Sequence, residues 1–301
     1  MGDQRLVNLS AAIDRQTRAD GIHSTAVPEL TLFRLSAPSE PTMVLYEPSL
    51  CLIAQGSKLV HLADEVYRYD PAQFLLVSVD LPVAGQVIEA SPRAPYLALR
   101  ISLDPGVVGE LVADGASPEF REAAPVRGLA VSPVEAPLLD AVTRLVDLLE
   151  QPRDAAVLAP LVLREITYRV LTGEQGARLR QIAAAGGPVQ RIARAIRWLK
   201  DHFAESLSIE ALAREVRMSA SALHHHFKRV TALSPLQYQK RLRLQEARRL
   251  MLGEGLDAAS AAFRVGYESP SQFSREYRRL FGAPPKKDVA SLQQEPAPLR
   301  A

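Results

Sequence analysis

Three consecutive histidines, His224, His225 and His226, stand in the stretch "SALHHHFKRV" and make up half of the six in the chain. Imidazoles can ligate a metal, move a proton or hydrogen-bond to a partner molecule. Spacing decides between these roles. The run reads as helical, and neighbouring helical side chains diverge by about 100°, so three adjacent rings cannot converge on one ion. No cysteine lies nearby, and no His-Glu-x-x-His or Cys-x-x-Cys pattern occurs. His226, three residues after Leu223, is expected to lean into local packing. His224 and His225 are then left to face another molecule.

The charge distribution suggests what that molecule is. The net charge is only +2, but residues 1–187 carry a net −7 and residues 188–290 a net +9. A basic C-terminal third suggests a domain that meets a polyanion. The remaining composition is that of a globular protein, 47% apolar and 23% charged. No apolar run is long enough to cross a bilayer, and the N-terminal segment lacks the apolar core of a signal peptide. The single cysteine cannot form an internal disulfide. A cytoplasmic protein with no membrane partner is expected.

The elements that would position these residues fall into two sets. Residues 3–20 read as a short helix, with Leu6, Leu9 and Ile13 on one stripe and Gly21 as its stop. From 29 to 103 come short β-like runs such as "SLCLIAQG", "SKLVHLA" and "PYLALRISL", with "LADEVY" as a hairpin turn. Helices are expected over 105–113, 133–150 and 155–172. Leu138, Val142, Leu145 and Leu149 form a stripe that needs a partner helix, from this chain or a second copy. Gly186-Gly187-Pro188 marks the domain boundary, where the charge changes sign.

Beyond that boundary the chain repeats itself. A shift of 50 residues brings "ALAREVRMSASALHHHFKRVTALSP" onto "AAFRVGYESPSQFSREYRRLFGAPP", so that Phe227 falls on Tyr277 and His225 on Arg275. Each copy reads as helix, tight turn, helix. Ser208, Ser219, Asp257 and Ser269 are expected N-caps, and Ser269 with Gln272 has capping-box spacing. Gly266 permits the second turn. Ser234-Pro235 opens a long linker helix ended by Gly253. Two helix-turn-helix units on one linker would address successive major-groove segments, about 34 Å apart. Leu223 and Phe227 face inward on one recognition helix, leaving Ser221, His224, His225, Lys228 and Arg229 for DNA. On the other, Phe273 and Tyr277 face inward, leaving Ser271, Gln272, Ser274, Arg275, Arg278 and Arg279. Arg275 suits bidentate contact to guanine. Arg241, Arg243, Arg248 and Arg249 on the linker helix read as surface charges, one or two of them reaching phosphate.

The C-terminal stretches "SIEALAREVRMSASALHHHFKRV" and "AASAAFRVGYESPSQFSREYRRLFGAPP" resemble the DNA-binding domain of the AraC/XylS family of bacterial transcriptional regulators. "YEPSLCLIAQGSKLVHLADEVYRYDPAQFLLVSVDLPV" is similar to the cupin-like sensor of one subgroup, the YqhC-like regulators. The resemblance implies an α+β protein of two domains. Residues 1–187 would be a cupin-like sensor and dimerisation domain, with a β-barrel over about 29–132 and helices over about 133–185. Residues 188–290 would be an all-α tandem helix-turn-helix domain, and 291–301 a tail.

The expected function is sequence-specific regulation, as an activator, in response to a small-molecule effector. Promoter DNA and RNA polymerase are the expected partners, with a homodimer through residues 133–172. Effector binding would shift the arrangement of the domains and so change DNA occupancy. Tyr46, Cys51, Gln55 and Arg100 are the candidate effector residues. Cys51 reads either as an inert buried thiol or as a sensor of electrophiles.

Two rival functions fit less well. His61 and Glu65 have the spacing of enzymatic cupins, but Leu59 and Ala63 stand where a second histidine would be needed. No catalytic set, metal site or cofactor is therefore expected. A non-specific architectural DNA binder would have no use for two unlike polar recognition faces.

Overall fold

In a computed structural model, residues 2–115, 127–184 and 186–294 are described. The 116–126 part of the expected barrel segment and residues 295–301 of the expected tail lie outside them. The chain divides into two compact units, Met1–Gln190 and Arg191–Ala297.

The first unit opens with helix α1 (Gly2–Gln16) and continues through β1 (Gly21–Ser24), β2 (Leu30–Leu35), β3 (Thr42–Tyr46), β4 (Ser49–Gln55) and β5 (Ser57–Leu62). Then come β6 (Glu65–Tyr69), β7 (Gln73–Val77), β8 (Leu81–Glu89), β9 (Tyr96–Ser102), helix α2 (Pro105–Ala113) and β10 (Leu129–Pro133). Helices α3 (Ala136–Asp147), α4 (Pro152–Thr172) and α5 (Gly176–Ala183) complete it. The strands form two sheets, β1-β2-β9-β4-β7-β10 and β3-β8-β5-β6, rather than the closed barrel expected. Closure depends on which distant strands pair, and local alternation does not carry that information. Gly21 starts a strand instead of stopping a helix; α1 ends at Gln16, where the Thr17 hydroxyl donates to the Ile13 carbonyl.

Alternation along the strands sorts their side chains between two environments. Leu50, Leu52 and Ala54 of β4, with Leu97 and Ile101 of β9, join Leu9 and Ile13 of α1 and the apolar stripes of α3 and α4 in one core. Leu138, Val142 and Leu145 are almost completely buried in that core. The stripe read as needing a partner helix has found α1 and α4 within the chain. Residues of opposite parity, among them Cys51 and Arg100, line a cavity. The expected hairpin turn is present: β5 and β6 pair through Leu62 and Glu65, with Ala63 at φ 53°.

The second unit is all helical. Helix α6 (Pro188–Asp201) is followed by α7 (Ile209–Glu215), α8 (Ala220–Thr231), α9 (Pro235–Gly253), α10 (Ala258–Arg264), α11 (Pro270–Phe281) and α12 (Pro285–Gln294). The hydroxyls of Ser208, Ser219, Ser234 and Ser269 and the Asp257 carboxylate each accept from a backbone N–H of the first turn. Ser234 and Gln237 complete a reciprocal capping box. Ser269 does not, because the Gln272 amide donates to Glu276 instead. The repeat is also not uniform. Ile209 corresponds to Ala258 at a shift of 49, whereas Ala220 corresponds to Pro270 at 50. The second turn is one residue longer. Helix α12 begins 50 residues after α9 and so extends the repeat by one more helix.

Arg217 and Gly266 fill the left-handed turn positions, at φ 55° and 89°. A β-carbon on Gly266 would stand 2.0 Å from the Ala204 carbonyl oxygen. Strain and collision coincide there, so Gly266→Ala is expected to destabilise the second unit by at least about 2 kcal/mol. Thermal melting followed by circular dichroism checks this; an unchanged melting temperature would show that the Ala204 approach is dispensable.

Candidate nucleic-acid interface and effector cavity

Helices α8 and α11 carry the expected interface residues, and packing orients both. Leu223 and Phe227 are fully buried on α8, and Phe227 meets Tyr238 of α9 edge-on, with ring centroids 5.5 Å apart. Phe273 and Tyr277 are fully buried on α11. With these anchors inward, Ser221, His224, His225, Lys228 and Arg229 are exposed on α8, and Ser271, Gln272, Arg275, Arg278 and Arg279 on α11; Ser274 is half-buried. Arg275 and Arg278 make no ion pair or side-chain hydrogen bond among the described residues. Gln272 is tethered to Glu276 at 3.2 Å.

The histidine run divides by environment. His226 is half-buried, and its Nδ1 is enclosed without a hydrogen-bond partner. Burial, reinforced by His225 and Arg229, holds its pKa below the usual histidine value, which favours a neutral ring. His225 stands edge-on to it, with centroids 5.3 Å apart.

The linker-helix arginines depart from expectation. Arg243 donates from Nε to the Phe203 carbonyl at 2.6 Å, from Nη1 to that of Gly266 at 2.8 Å and from Nη2 to that of Glu205 at 2.7 Å. Arg248 grips Asp288 of α12 with two bonds of 2.8 and 2.7 Å, and the Tyr277 hydroxyl donates to the same carboxylate at 2.7 Å. These two guanidiniums therefore brace the unit instead of serving as surface charges. Arg249 is exposed and pairs with Glu246.

Three of the four candidate effector residues, Tyr46, Cys51 and Arg100, line a cavity of about 110 Å³ in the first unit. Gln55 does not. A bulge between Ile53 and Gln55 breaks the alternation that would have carried it inward. Its amide donates to the Pro95 carbonyl at 2.8 Å, and Ser10 donates to it at 3.4 Å. Lys58, Tyr69 and Tyr96 also line the cavity and were not among the expected residues. The signal for Lys58 lay in β5, where it shares parity with the fully buried Val60 and Leu62.

Burial opposes the Lys58 charge, but Tyr46 and Tyr96 more than offset it and hold the ammonium above the usual lysine range. Burial raises the Cys51 thiol, so it stays protonated and weakly nucleophilic despite Lys58 and Arg100 nearby. Elsewhere in the unit, Glu65 accepts from Arg127 at 3.0 Å and from the Tyr67 hydroxyl at 2.6 Å, so neighbouring side chains already engage it. No helix among the described residues is long and apolar enough to cross a membrane.

A two-sheet domain with an internal cavity, and a second unit carrying paired helix-turn-helix modules, define a DNA-binding protein of two-module construction. Residues 26–178 match the AraC-type transcriptional regulator N-terminus, and residues 212–290 match a helix-turn-helix domain. The chain belongs to the AraC-type transcriptional regulators.

Among its curated relatives, the HTH-type transcriptional activator RhaS of Escherichia fergusonii is 35% identical over 152 residues, and that of Salmonella agona 32%. Both alignments cover 50% of this chain and 53% of RhaS. The chain thus spans about half the length of these relatives. Two Vibrio cholerae ToxT structures share the fold at 11% identity. One, bound to an unsaturated fatty acid, has a TM-score of 0.56 over 86% of this chain and 94% of ToxT; the other, from strain O395, has 0.54 over 88% and 98%.

Glu276 links pH to the integrity of the second unit. Burial would raise its pKa, but hydrogen bonds from Lys240 at 2.7 Å, Tyr267 at 2.8 Å and Gln272 outweigh that and hold it below the usual glutamate value. A depressed folded-state pKa contributes stability above the unfolded value of about 4.3, and that contribution is lost as pH falls through the folded value. Glu276→Gln should therefore lower the melting temperature at pH 7 and flatten its decline below about pH 4.5. Parallel pH curves for variant and wild type would contradict this.

Proposed function

We propose that this chain is a sequence-specific DNA-binding transcriptional regulator, acting as an activator, whose N-terminal unit responds to a small-molecule effector. The observation that carries the reading is the pair of capped, internally anchored helices α8 and α11, each presenting a different set of polar and basic side chains. Two unlike faces in one chain suit an asymmetric DNA site. His225 and Arg275 are the proposed base-reading residues. Ser221, His224, Lys228, Arg229, Ser271, Gln272, Ser274, Arg278 and Arg279 complete the two faces. Effector binding would alter DNA occupancy or contact with RNA polymerase in the cytoplasm. The activator sense is supported by the relatives named RhaS activators, and the effector role by the ToxT structure bound to a fatty acid. The absence of a catalytic constellation from this reading follows from the same kinship with regulators.

The test is an electrophoretic mobility shift on DNA upstream of the chain's own coding region, with salt titration and a scrambled competitor. His225→Ala and Arg275→Ala should each weaken the specific site roughly 5- to 150-fold, with far smaller effects on scrambled DNA. Equal losses on both DNAs would reduce the two residues to phosphate contacts, and equal wild-type affinity for both would remove the specific-regulator reading.

A homodimer through residues 133–172 is proposed with a change of emphasis. The α3 stripe is consumed internally, but Val157, Leu158, Leu161 and Tyr168 of α4 remain exposed. Surface of that kind on a helix favours a second copy. Leu161→Glu should convert a dimer to a monomer in light scattering without lowering the melting temperature of the monomer. A wild-type chain that is monomeric at all concentrations would refute this.

A further inference from the structure

A lysine that turns from a strand into a domain cavity usually brings a carboxylate with it, because an unpaired charge away from bulk water is penalised. Lys58 has none. Its ammonium lies 5.5 Å from the centroid of the Tyr46 ring, and no Asp or Glu is among the described residues lining the cavity. A second cation, Arg100, comes from the other sheet, and its Nε is buried without a hydrogen-bond partner. The remaining polar groups are neutral donors. Burial keeps the Tyr69 and Tyr96 phenols protonated.

The cavity thus concentrates positive charge and hydrogen-bond donors with no internal anion to balance them. The rest of its wall is apolar, including Phe33, Leu35, Val44 and Val87. A sugar would call for carboxylates or side-chain amides able to fork onto paired hydroxyls, and the described residues of this wall include neither Asn nor Gln. An aldehyde seeking an imine would need a neutral amine, whereas the surroundings favour ammonium.

Space at the anion end is set by Gly85. A β-carbon there would stand 3.0 Å from Lys58 Cε, 3.4 Å from Nζ and 3.5 Å from the Tyr46 hydroxyl. The missing side chain leaves room beside the ammonium.

We propose that the cavity binds a small amphipathic monocarboxylate, with its carboxylate on Lys58 and Arg100 and its apolar body against Phe33, Leu35, Val44 and Val87. This rests on the reading of the first unit as an effector domain and names the chemistry of the effector. Tyr46, Tyr69 and Tyr96 supply hydroxyls around the anion. Because Cys51 is a protonated thiol, binding is reversible and ionic.

Calorimetric titration of the full chain tests this with octanoate and hydrocinnamate, each beside its primary amide. The two acids separate an aliphatic from an aryl body. At least one acid should bind, and its amide should bind roughly 10- to 100-fold more weakly, the range of a charge-assisted hydrogen bond. Lys58→Met should impose the same loss on the acid and leave the amide little changed, while Lys58→Arg should keep the preference for acid. Gly85→Ala, which retains every charge, should weaken the acid by crowding Lys58.

Equal binding of acid and amide would overturn the proposal, as would unaltered acid binding by Lys58→Met. Failure of both acids to bind a folded wild-type chain would do so too. If Lys58→Met does not fold, the wild-type acid–amide comparison and Gly85→Ala decide alone. A mobility shift on the same preparation separates the two readings. Specific DNA binding without an acid preference overturns only the effector chemistry. An acid preference without specific DNA binding overturns only the regulator reading.

Discussion

The second unit depends on one close approach, that of the Ala204 carbonyl to the backbone of Gly266, secured by Arg243. The approach is possible only where residue 266 has no β-carbon. Arg243 then bonds simultaneously to carbonyls of the 203–205 segment, ahead of the first helix-turn-helix, and to the carbonyl of Gly266 in the turn of the second. Gln239, one helical turn earlier on α9, adds bonds to the carbonyls of Phe203 at 3.1 Å and Glu205 at 2.8 Å. A planar, permanently charged fork suits several carbonyls at once in a way that a lysine ammonium does not. The linker helix therefore fixes the two modules relative to each other through backbone groups as well as apolar packing. Two recognition helices held in this manner can be matched to a DNA spacing without a further ordering cost on binding.

That bracing also changes the meaning of the basic charge. The +9 of residues 188–290 first reads as a surface suited to a polyanion. Part of it is committed internally: Arg243 to carbonyls, Arg248 to Asp288 and Lys240 to Glu276. On α11, Arg275 and Arg278 make no ion pair among the described residues and stay exposed to an outside partner. Net charge thus pointed to the right unit, but it could not separate structural cations from available ones, because both types carry the same sign in sequence. Only the distances to acceptors divide them.

Much of the second unit was legible because its signals are local. Ser208, Ser219, Ser234, Asp257 and Ser269 are capping residues placed directly before apolar periodicity, and a cap acts within its own first turn. The inward facing of Leu223, Phe227, Phe273 and Tyr277 follows from helical spacing alone. Helix α12 was not among the expected elements, although Pro285 falls 50 residues after Pro235 and opens a helix in the same way. In the first unit the controlling facts are non-local. Closure of the strands depends on which partners they choose across tens of residues. Gln55 lost its inward position through one bulge. Lys58 was overlooked because lysine in a strand ordinarily marks a solvent face; only the burial of Val60 and Leu62 beside it reveals the opposite.

Lys58 and Arg243 show how differently a cation can be accommodated away from bulk water. Arg243 is satisfied by carbonyl oxygens and by the Tyr267 ring, 5.8 Å from its guanidinium carbon, so its environment is complete without any ligand. Lys58 has tyrosine hydroxyls for company and cavity space beside it, kept open by Gly85. A group whose surroundings are complete contributes to the fold. One left with neutral neighbours and free volume keeps donors to spare, and these are open to whatever supplies the missing charge. Ligand binding to such a site is coupled to the rigidity of the strands that carry it, here β5 and β8 of one sheet and β9 of the other. A charge on the ligand would therefore be felt across both sheets, which is the physical requirement for a cavity to report its occupancy beyond its own walls.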